Sequence, residues 1–74
     1  MNTDTRIEFR TQTRGYTLLL ETDLLGDLIV TRHWFGLQNE RGSAKRQLFY
    51  DLKDALKEIK RIENIRLRRG YTRQ

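Results

Sequence analysis

Residues 16–35 read YTLLLETDLLGDLIVTRHWF, and this stretch decides the fold. Side chains of a β-strand point alternately to the two faces of a sheet. The first half of the stretch thus places three large apolar side chains on one face: Tyr16, Leu18 and Leu20. Turn residues follow, and Gly26 can adopt the positive φ that a tight reversal needs. Residues 28–35 then form a second β-favouring run, so the stretch predicts an antiparallel hairpin with apolar residues on both faces.

Two shorter alternating runs predict strands on either side of this hairpin. Residues 6–13 place Ile7 and Phe9 on one face and charged residues on the other. Residues 45–50 resume the same period after a polar loop, residues 36–42, that has glycine at each end. We therefore predict a small antiparallel sheet of about four strands.

A C-terminal helix completes the predicted α+β fold. Asp51 is a good N-cap, so the helix should begin at Leu52. Gly70 is a natural C′ residue, so the helix should end near Arg69, and Tyr71 can fold back onto the last turn or the sheet. One apolar stripe at helical spacing is expected to lie on the sheet. Its members are Leu52, Ala55, Leu56, Ile59 and Ile62.

The length of 74 residues allows one domain at most, with a core expected over residues 15–71 and frayed ends at residues 1–5 and 72–74. The chain contains no cysteine, which excludes disulfides and thiolate chemistry. Its apolar runs are far shorter than the about 20 residues of a membrane span, and its N-terminus lacks the layout of a signal peptide. We expect a cytoplasmic protein without a membrane partner.

Positive charge is concentrated towards the C-terminus. Residues 1–56 carry eight basic and eight acidic side chains, whereas residues 57–74 carry seven basic and two acidic ones. A basic segment on one side of a small domain attracts polyanions such as nucleic acid. A charged helix surface is more often only solvated, and the sequence alone leaves both interpretations open.

The sequence offers no catalytic or metal-binding constellation. His33 is the only imidazole, so no histidine cluster can bind a metal ion. No serine or threonine lies in a recognisable nucleophile motif, and the carboxylates are dispersed along the chain. We therefore predict a protein that is not an enzyme, with no catalytic residue, no cofactor and no metal site.

Four segments, in this order, resemble a WGR domain, the small module named for a Trp-Gly-Arg signature and found in poly(ADP-ribose) polymerases and in short or composite bacterial proteins. They are Tyr16–Glu21, Asp23–Asp27, Arg32-His33-Trp34-x-Gly36 with Arg41-Gly42, and Arg68-Arg69-Gly70-Tyr71. The resemblance covers roughly residues 15–71. It implies an antiparallel sheet with one helix packed across it, which the residue pattern predicts independently.

The signature itself is degenerate in this chain. Trp34 is in place, but Phe35 occupies the usual glycine position and Gly36 falls where the family has arginine. In the polymerases the domain is similar in role to a sensor of DNA ends, with its tryptophan against a terminal nucleotide and its arginine on phosphate or a neighbouring domain. Only Trp34 carries over directly, and Arg32 and Arg41 are the candidates to replace the missing guanidinium.

Trp34 has a structural and a functional interpretation. A single tryptophan in a small sheet protein is usually a core residue. An aromatic side chain at a strand end beside basic residues is also a stacking platform for a nucleobase, worth about 1–3 kcal/mol per base. The resemblance brings these two interpretations to about equal weight, and a partly buried tryptophan can serve both roles.

We predict a non-enzymatic module that binds nucleic acid, with DNA favoured over RNA. The predicted binding residues are one aromatic and seven basic side chains: Trp34, Arg32, Arg41, Lys45, Arg46, Arg66, Arg68 and Arg69. The alternative is a protein-interaction or assembly module, either a homodimer or the partner of another protein. Strands that are apolar on both faces favour this alternative, because such strands need a cover.

Overall fold

The computed structural model describes residues 5–38 and 41–74. It contains a five-stranded antiparallel sheet with one helix packed across it. The elements in chain order are β1 (Thr5–Arg10), β2 (Arg14–Thr22), β3 (Leu28–Gly36), β4 (Gly42–Phe49), α1 (Leu52–Arg68) and β5 (Thr72–Arg73). The predicted α+β fold, with four main strands and a C-terminal helix, is confirmed. Of the residues 1–5 predicted to fray, Thr5 begins β1 and the others lie outside the described residues.

The four long strands form an antiparallel meander, in which each strand pairs with its neighbour in the chain. Short connections suffice between antiparallel neighbours, whereas parallel strands need a crossover. The register of β2 with β3 sets Tyr16 opposite Trp34 and Leu18 opposite Arg32. Because Tyr16 and Leu18 belong to the core beneath α1, these four side chains lie on the helix-bearing face of the sheet.

The turn between β2 and β3 is fixed by the carboxylate of Asp23. Its Oδ1 accepts hydrogen bonds of 2.9 Å from the backbone N–H groups of Leu25 and Asp27. Gly26 adopts a φ of 87°, which glycine tolerates and L side chains rarely adopt. The reversal predicted at Gly26 is therefore confirmed.

The core lies between the sheet and α1. Its members are apolar side chains of β1, β2, β3 and α1: Ile7, Phe9, Tyr16, Leu18, Leu20, Val30, Ala55, Ile59 and Ile62. Burial of apolar surface stabilises a fold by about 25 cal/mol per Å². A chain of this length has little such surface to bury, so these side chains carry most of the stability.

The predicted bounds of the helix are confirmed. Helix α1 begins at Leu52, where the Asp51 carboxylate accepts a hydrogen bond of 2.9 Å from the backbone N–H of Lys53. The helix ends at Arg68, and Gly70 has a φ of 89° just beyond it. Both ends are set by the local capping residues, which is why the sequence reveals them.

The predicted apolar stripe of the helix is correct only in part. Ala55, Ile59 and Ile62 are buried against the sheet, as expected. Leu52 and Leu56 remain 42% and 50% exposed, so their predicted place on the sheet is wrong. The buried face also includes a charged residue of α1, which forms ion pairs with one cation of the same helix and with one from the C-terminal strand.

That residue is Glu63, which is 8% exposed. Arg73 donates a hydrogen bond of 2.9 Å to its carboxylate. Thr72–Arg73 pairs with β1, and the backbone N–H of Gln74 donates to the carbonyl oxygen of Glu8 at 2.8 Å. These contacts correct the predicted fraying of the C-terminal residues, because a buried carboxylate requires a cation and the edge of β1 offers unpaired backbone groups.

Phe35 lies on the opposite face of the sheet, between two glycines on the neighbouring strands. Its cross-strand partners are Gly15 on β2 and Gly42 on β4. The ring covers Gly15 so closely that a Cβ atom added there would clash with Cζ and Cε2 of the ring. The lack of a side chain at Gly15 on β2 thus leaves room for the ring of Phe35 on β3.

We predict that Gly15→Ala destabilises the fold through this contact. The added methyl group forces the ring of Phe35 to move, and such overpacking costs about 1–3 kcal/mol. In a Phe35→Ala background the same substitution should cost much less, because the clash is absent. Urea denaturation followed by circular dichroism measures the free energy of unfolding of four proteins: the parent, the two single variants and the double variant. Equal costs in both backgrounds would show that the ring does not impose the glycine.

Candidate functional site

A groove opens on the helix-bearing face, at the end of the sheet where β3 ends, β4 begins and α1 terminates. Its volume is about 830 Å³. Most of its lining consists of aromatic and arginine side chains: Trp34, Tyr16, Phe35, Tyr71, Arg14, Arg32, Arg41 and Arg66. No acidic side chain of the described residues belongs to the lining. We call this site the aromatic–arginine groove.

Tyr16 connects the groove to the core. It is 4% exposed, and its ring stacks on the indole of Trp34 with centroids 6.2 Å apart and planes 17° apart. It also meets Phe9 and Tyr71 edge-on, at centroid distances of 6.4 and 6.1 Å. Such aromatic contacts are favourable, and they fix the orientation of the indole. Trp34 nevertheless remains 39% exposed, so it is both packed and accessible.

Arg66 packs its guanidinium on two tyrosine rings. Its Cζ atom lies 4.6 Å from the ring centroid of Tyr16 and 5.4 Å from that of Tyr71. Cations within about 6 Å of an aromatic centroid are attracted to the ring. The Nε of Arg66 is buried and has no hydrogen-bond partner among the described residues. The described part of the chain therefore does not satisfy all the donors of this guanidinium.

The hairpin between β3 and β4 brings Arg41 to the groove. The backbone N–H of Gly36 donates to the carbonyl oxygen of Arg41 at 3.0 Å, and that of Leu37 donates to Thr13 at 2.8 Å. These bonds anchor both ends of the predicted polar loop, residues 36–42, beside Trp34. Residues 39 and 40 of this loop lie outside the described residues.

One carboxylate moderates the positive charge near the groove. Glu58 on α1 accepts two hydrogen bonds from Arg61, at 2.6 and 2.9 Å. This pairing lowers the pKa of Glu58 below its ordinary value, although burial opposes the shift, and the charges of Arg32 and Lys45 lower it further. Glu58 is therefore ionised at neutral pH and offsets part of the potential of Arg32 and Lys45.

The structure places only some of the eight predicted binding residues in the groove. Half of them line the groove: Trp34, Arg32, Arg41 and Arg66. Lys45 is the cross-strand partner of Arg32 on the same face, but lies outside the groove lining. Arg68 and Arg69 are exposed at the end of α1 and do not line the groove. Arg46 lies on the opposite face, because side chains alternate along β4, so a single basic face that includes Arg46 does not form.

Nine lining residues were not predicted as site residues, and three of them bring a large side chain to the helix-bearing face: Arg14, Tyr16 and Tyr71. Alternation is the signal for Arg14, which precedes Tyr16 by two residues and so shares its face. Tyr71 reaches the groove because the chain reverses at Gly70, and its backbone N–H donates to the carbonyl oxygen of Arg66 at 3.1 Å. The pattern around Gly70 indicated that Tyr71 folds back, but not which surface it would meet.

Residues 5–38 and 41–74 contain no group of three or more His, Asp or Glu side chains placed to hold a metal ion. The helix in this part of the chain is not long and apolar enough to cross a membrane. Comparisons with known proteins returned no matching family model, no matching curated protein and no matching solved structure.

We predict that Glu58→Gln lowers the free energy of unfolding at neutral pH. A carboxylate with a lowered pKa in the folded state stabilises the fold above its unfolded pKa, and this contribution is lost as the pH falls through the folded pKa. The difference in the free energy of unfolding between the variant and the parent should therefore become smaller as the pH falls below the ordinary glutamate pKa of about 4.3. Urea denaturation between pH 3 and pH 7 measures this difference. A difference that is constant over this range would contradict the role of the Arg61 pairing.

Proposed function

We propose that this chain is a non-enzymatic, WGR-like module that binds nucleic acid through the aromatic–arginine groove. The observation that carries the proposal is the combination, in one groove, of an exposed and oriented indole with four arginines: Arg14, Arg32, Arg41 and Arg66. Bases stack on aromatic rings, and phosphates pair with guanidinium groups. A nucleotide chain offers both kinds of group at adjacent positions.

The arrangement around Trp34 bears on the degenerate signature. Gly36 stands where the resembled family has arginine. The backbone bond between Gly36 and Arg41 brings a guanidinium-bearing residue to the same end of β3 from the facing strand. Arg66 adds a second cation, held on the ring of Tyr16 that also stacks on Trp34. The groove thus supplies cations beside the indole without the arginine of the signature.

Three predicted residues outside the groove extend its positive field. Lys45 lies next to Arg32 across the β3–β4 pair, and Arg68 and Arg69 lie on the exposed end of α1. The formal net charge of +5 favours approach of a polyanion from solution. We assign these residues to long-range attraction and the groove to contact. The preference for DNA rests on the family resemblance.

We predict that Trp34→Ala weakens binding of a short DNA by about fivefold to about 150-fold, since loss of stacking on one base costs about 1–3 kcal/mol. Fluorescence anisotropy with labelled single-stranded DNA, duplex DNA and RNA at low salt measures the effect. Tyr50→Ala is the matched control, because Tyr50 is 88% exposed and lies at the opposite end of the sheet. Absence of binding by the parent protein would refute the function, and equal losses in both variants would refute the site.

We predict a salt dependence that reports on the groove arginines. Neutralisation of about three to five phosphates gives a slope of log K against log salt of about −3 to −4.5. Arg66→Gln and Arg32→Gln should each make this slope shallower by about one. Arg46→Gln removes the same charge from the opposite face and should leave the slope nearly unchanged. A uniform effect of the three substitutions would indicate diffuse attraction rather than binding in the groove.

A further inference from the structure

The face of the sheet opposite α1 is covered by no other element among the described residues. We call it the open face. Its centre carries uncharged side chains from β2, β3 and β4: Thr17, Leu19, Ile29, Thr31, Phe35, Ala44 and Leu48. Leu48 is 45% exposed, and the hydroxyl of Thr31 is buried without a hydrogen-bond partner among the described residues. This surface is suited to burial rather than to solvent.

Charged side chains of both signs surround this centre. Arg6, Glu8 and Arg10 follow one another along β1, and Arg6 forms an ion pair of 2.9 Å with Glu8. Glu21 lies at the far end of β2, and Arg46 lies on β4. An uncharged centre within a rim of mixed charge is the usual anatomy of a protein interface.

The registers give the order of these residues in rows across the sheet. One row contains Arg6, Leu19, Thr31 and Arg46, and the next contains Glu8, Thr17, His33 and Ala44. Two outer rows flank them, one with Glu21, Ile29 and Leu48 and the other with Arg10, Gly15, Phe35 and Gly42. The rows decide which symmetry operation sets opposite charges together.

A two-fold axis that lies in the interface and runs across the strands exchanges the two central rows. Arg6 of each copy then meets Glu8 of the other. The same operation exchanges the outer rows, so Ile29 meets Phe35 and Glu21 approaches Arg10. An axis along the strands would instead set Arg6 against Arg46, and these like charges would repel. The open face is therefore complementary to itself in one orientation.

We propose that the open face is a homodimer interface, in which two copies pack face to face about the axis across the strands. This inference does not rest on nucleic-acid binding, because the indole and the arginines of the proposed function lie on the other face, and only the end row with Gly15, Phe35 and Gly42 also borders the groove. Sheets packed in this way keep their strands within about 30° of one another, which the antiparallel overlap of equivalent strands satisfies. The self-complementary charge pattern selects a second copy over an unrelated partner.

The size of the face sets the class of interface that it can form. Four strands about 4.8 Å apart and six residue steps of about 3.4 Å give a flat area of about 400 Å² per copy. Two copies therefore bury at least about 800 Å² of surface, which belongs to the small, weak class of interfaces below about 1,200 Å². We expect a dimer that forms and dissociates within an accessible concentration range.

Analytical ultracentrifugation of the full chain between about 5 and 500 μM tests for this equilibrium. Leu48→Glu places a charge in the uncharged centre and should leave only monomer. Leu56→Glu is the matched control, because Leu56 is 50% exposed on α1, and it should leave the dimer intact. Circular dichroism establishes that both variants fold. A parent protein that stays monomeric at the highest concentration, or equal loss of dimer in both variants, would overturn the proposal.

The charge pattern permits a second test of the two-fold arrangement. In the Arg6→Glu variant, positions 6 and 8 are both acidic, so two acidic pairs face each other across the axis. In the Glu8→Arg variant, both positions are basic, so two basic pairs face each other. Each variant should therefore dimerise at least tenfold more weakly than the parent. An equal mixture should recover association, because every acidic pair then meets a basic pair. A mixture that associates no better than the separate variants would overturn the arrangement.

Discussion

The packing of Tyr16 is the interaction on which the structure depends most. Its ring contacts Phe9 in the core, Trp34 on β3, and both Tyr71 and Arg66 at the C-terminal end of the domain. A strand, the end of the helix and the last residues of the chain are thereby fixed around one side chain. The groove therefore forms from residues distant in sequence and is complete only when hairpin, helix and β5 have assembled.

Local signals made the main elements predictable. Alternation gave the strands, and Asp51 and Gly70 gave the bounds of the helix, since each acts within a few residues of its own position. The missed β5 depends on contacts that are distant in sequence. Arg73 pairs with the buried Glu63 ten residues away, and the local pattern around either residue does not indicate this contact. Long-range pairing decided the details that periodicity left open.

The candidate site was predictable where residue chemistry was distinctive. Trp34 was singled out as the only tryptophan, and its two interpretations prove compatible, because one face stacks on Tyr16 while part of the ring stays exposed. Arginines were harder to place, since charge alone does not assign a face. Arg46 was predicted to bind nucleic acid, but the register of β4 places it on the face opposite the groove. Arg14 was not predicted, and the register of β2 places it in the groove lining. Register, rather than composition, separates a groove arginine from one on the opposite face.

Gly15 and Phe35 are coupled through shared space, because the ring of Phe35 fills the volume that a side chain at position 15 would occupy. The large side chain on β3 therefore depends on a glycine on β2. Such positions cannot vary independently during evolution. A lineage that gains a side chain at position 15 before it loses the ring at position 35 passes through a destabilised intermediate, so one order of the two substitutions is favoured. Gly15 and Phe35 are thus one solution to a volume shared between two strands.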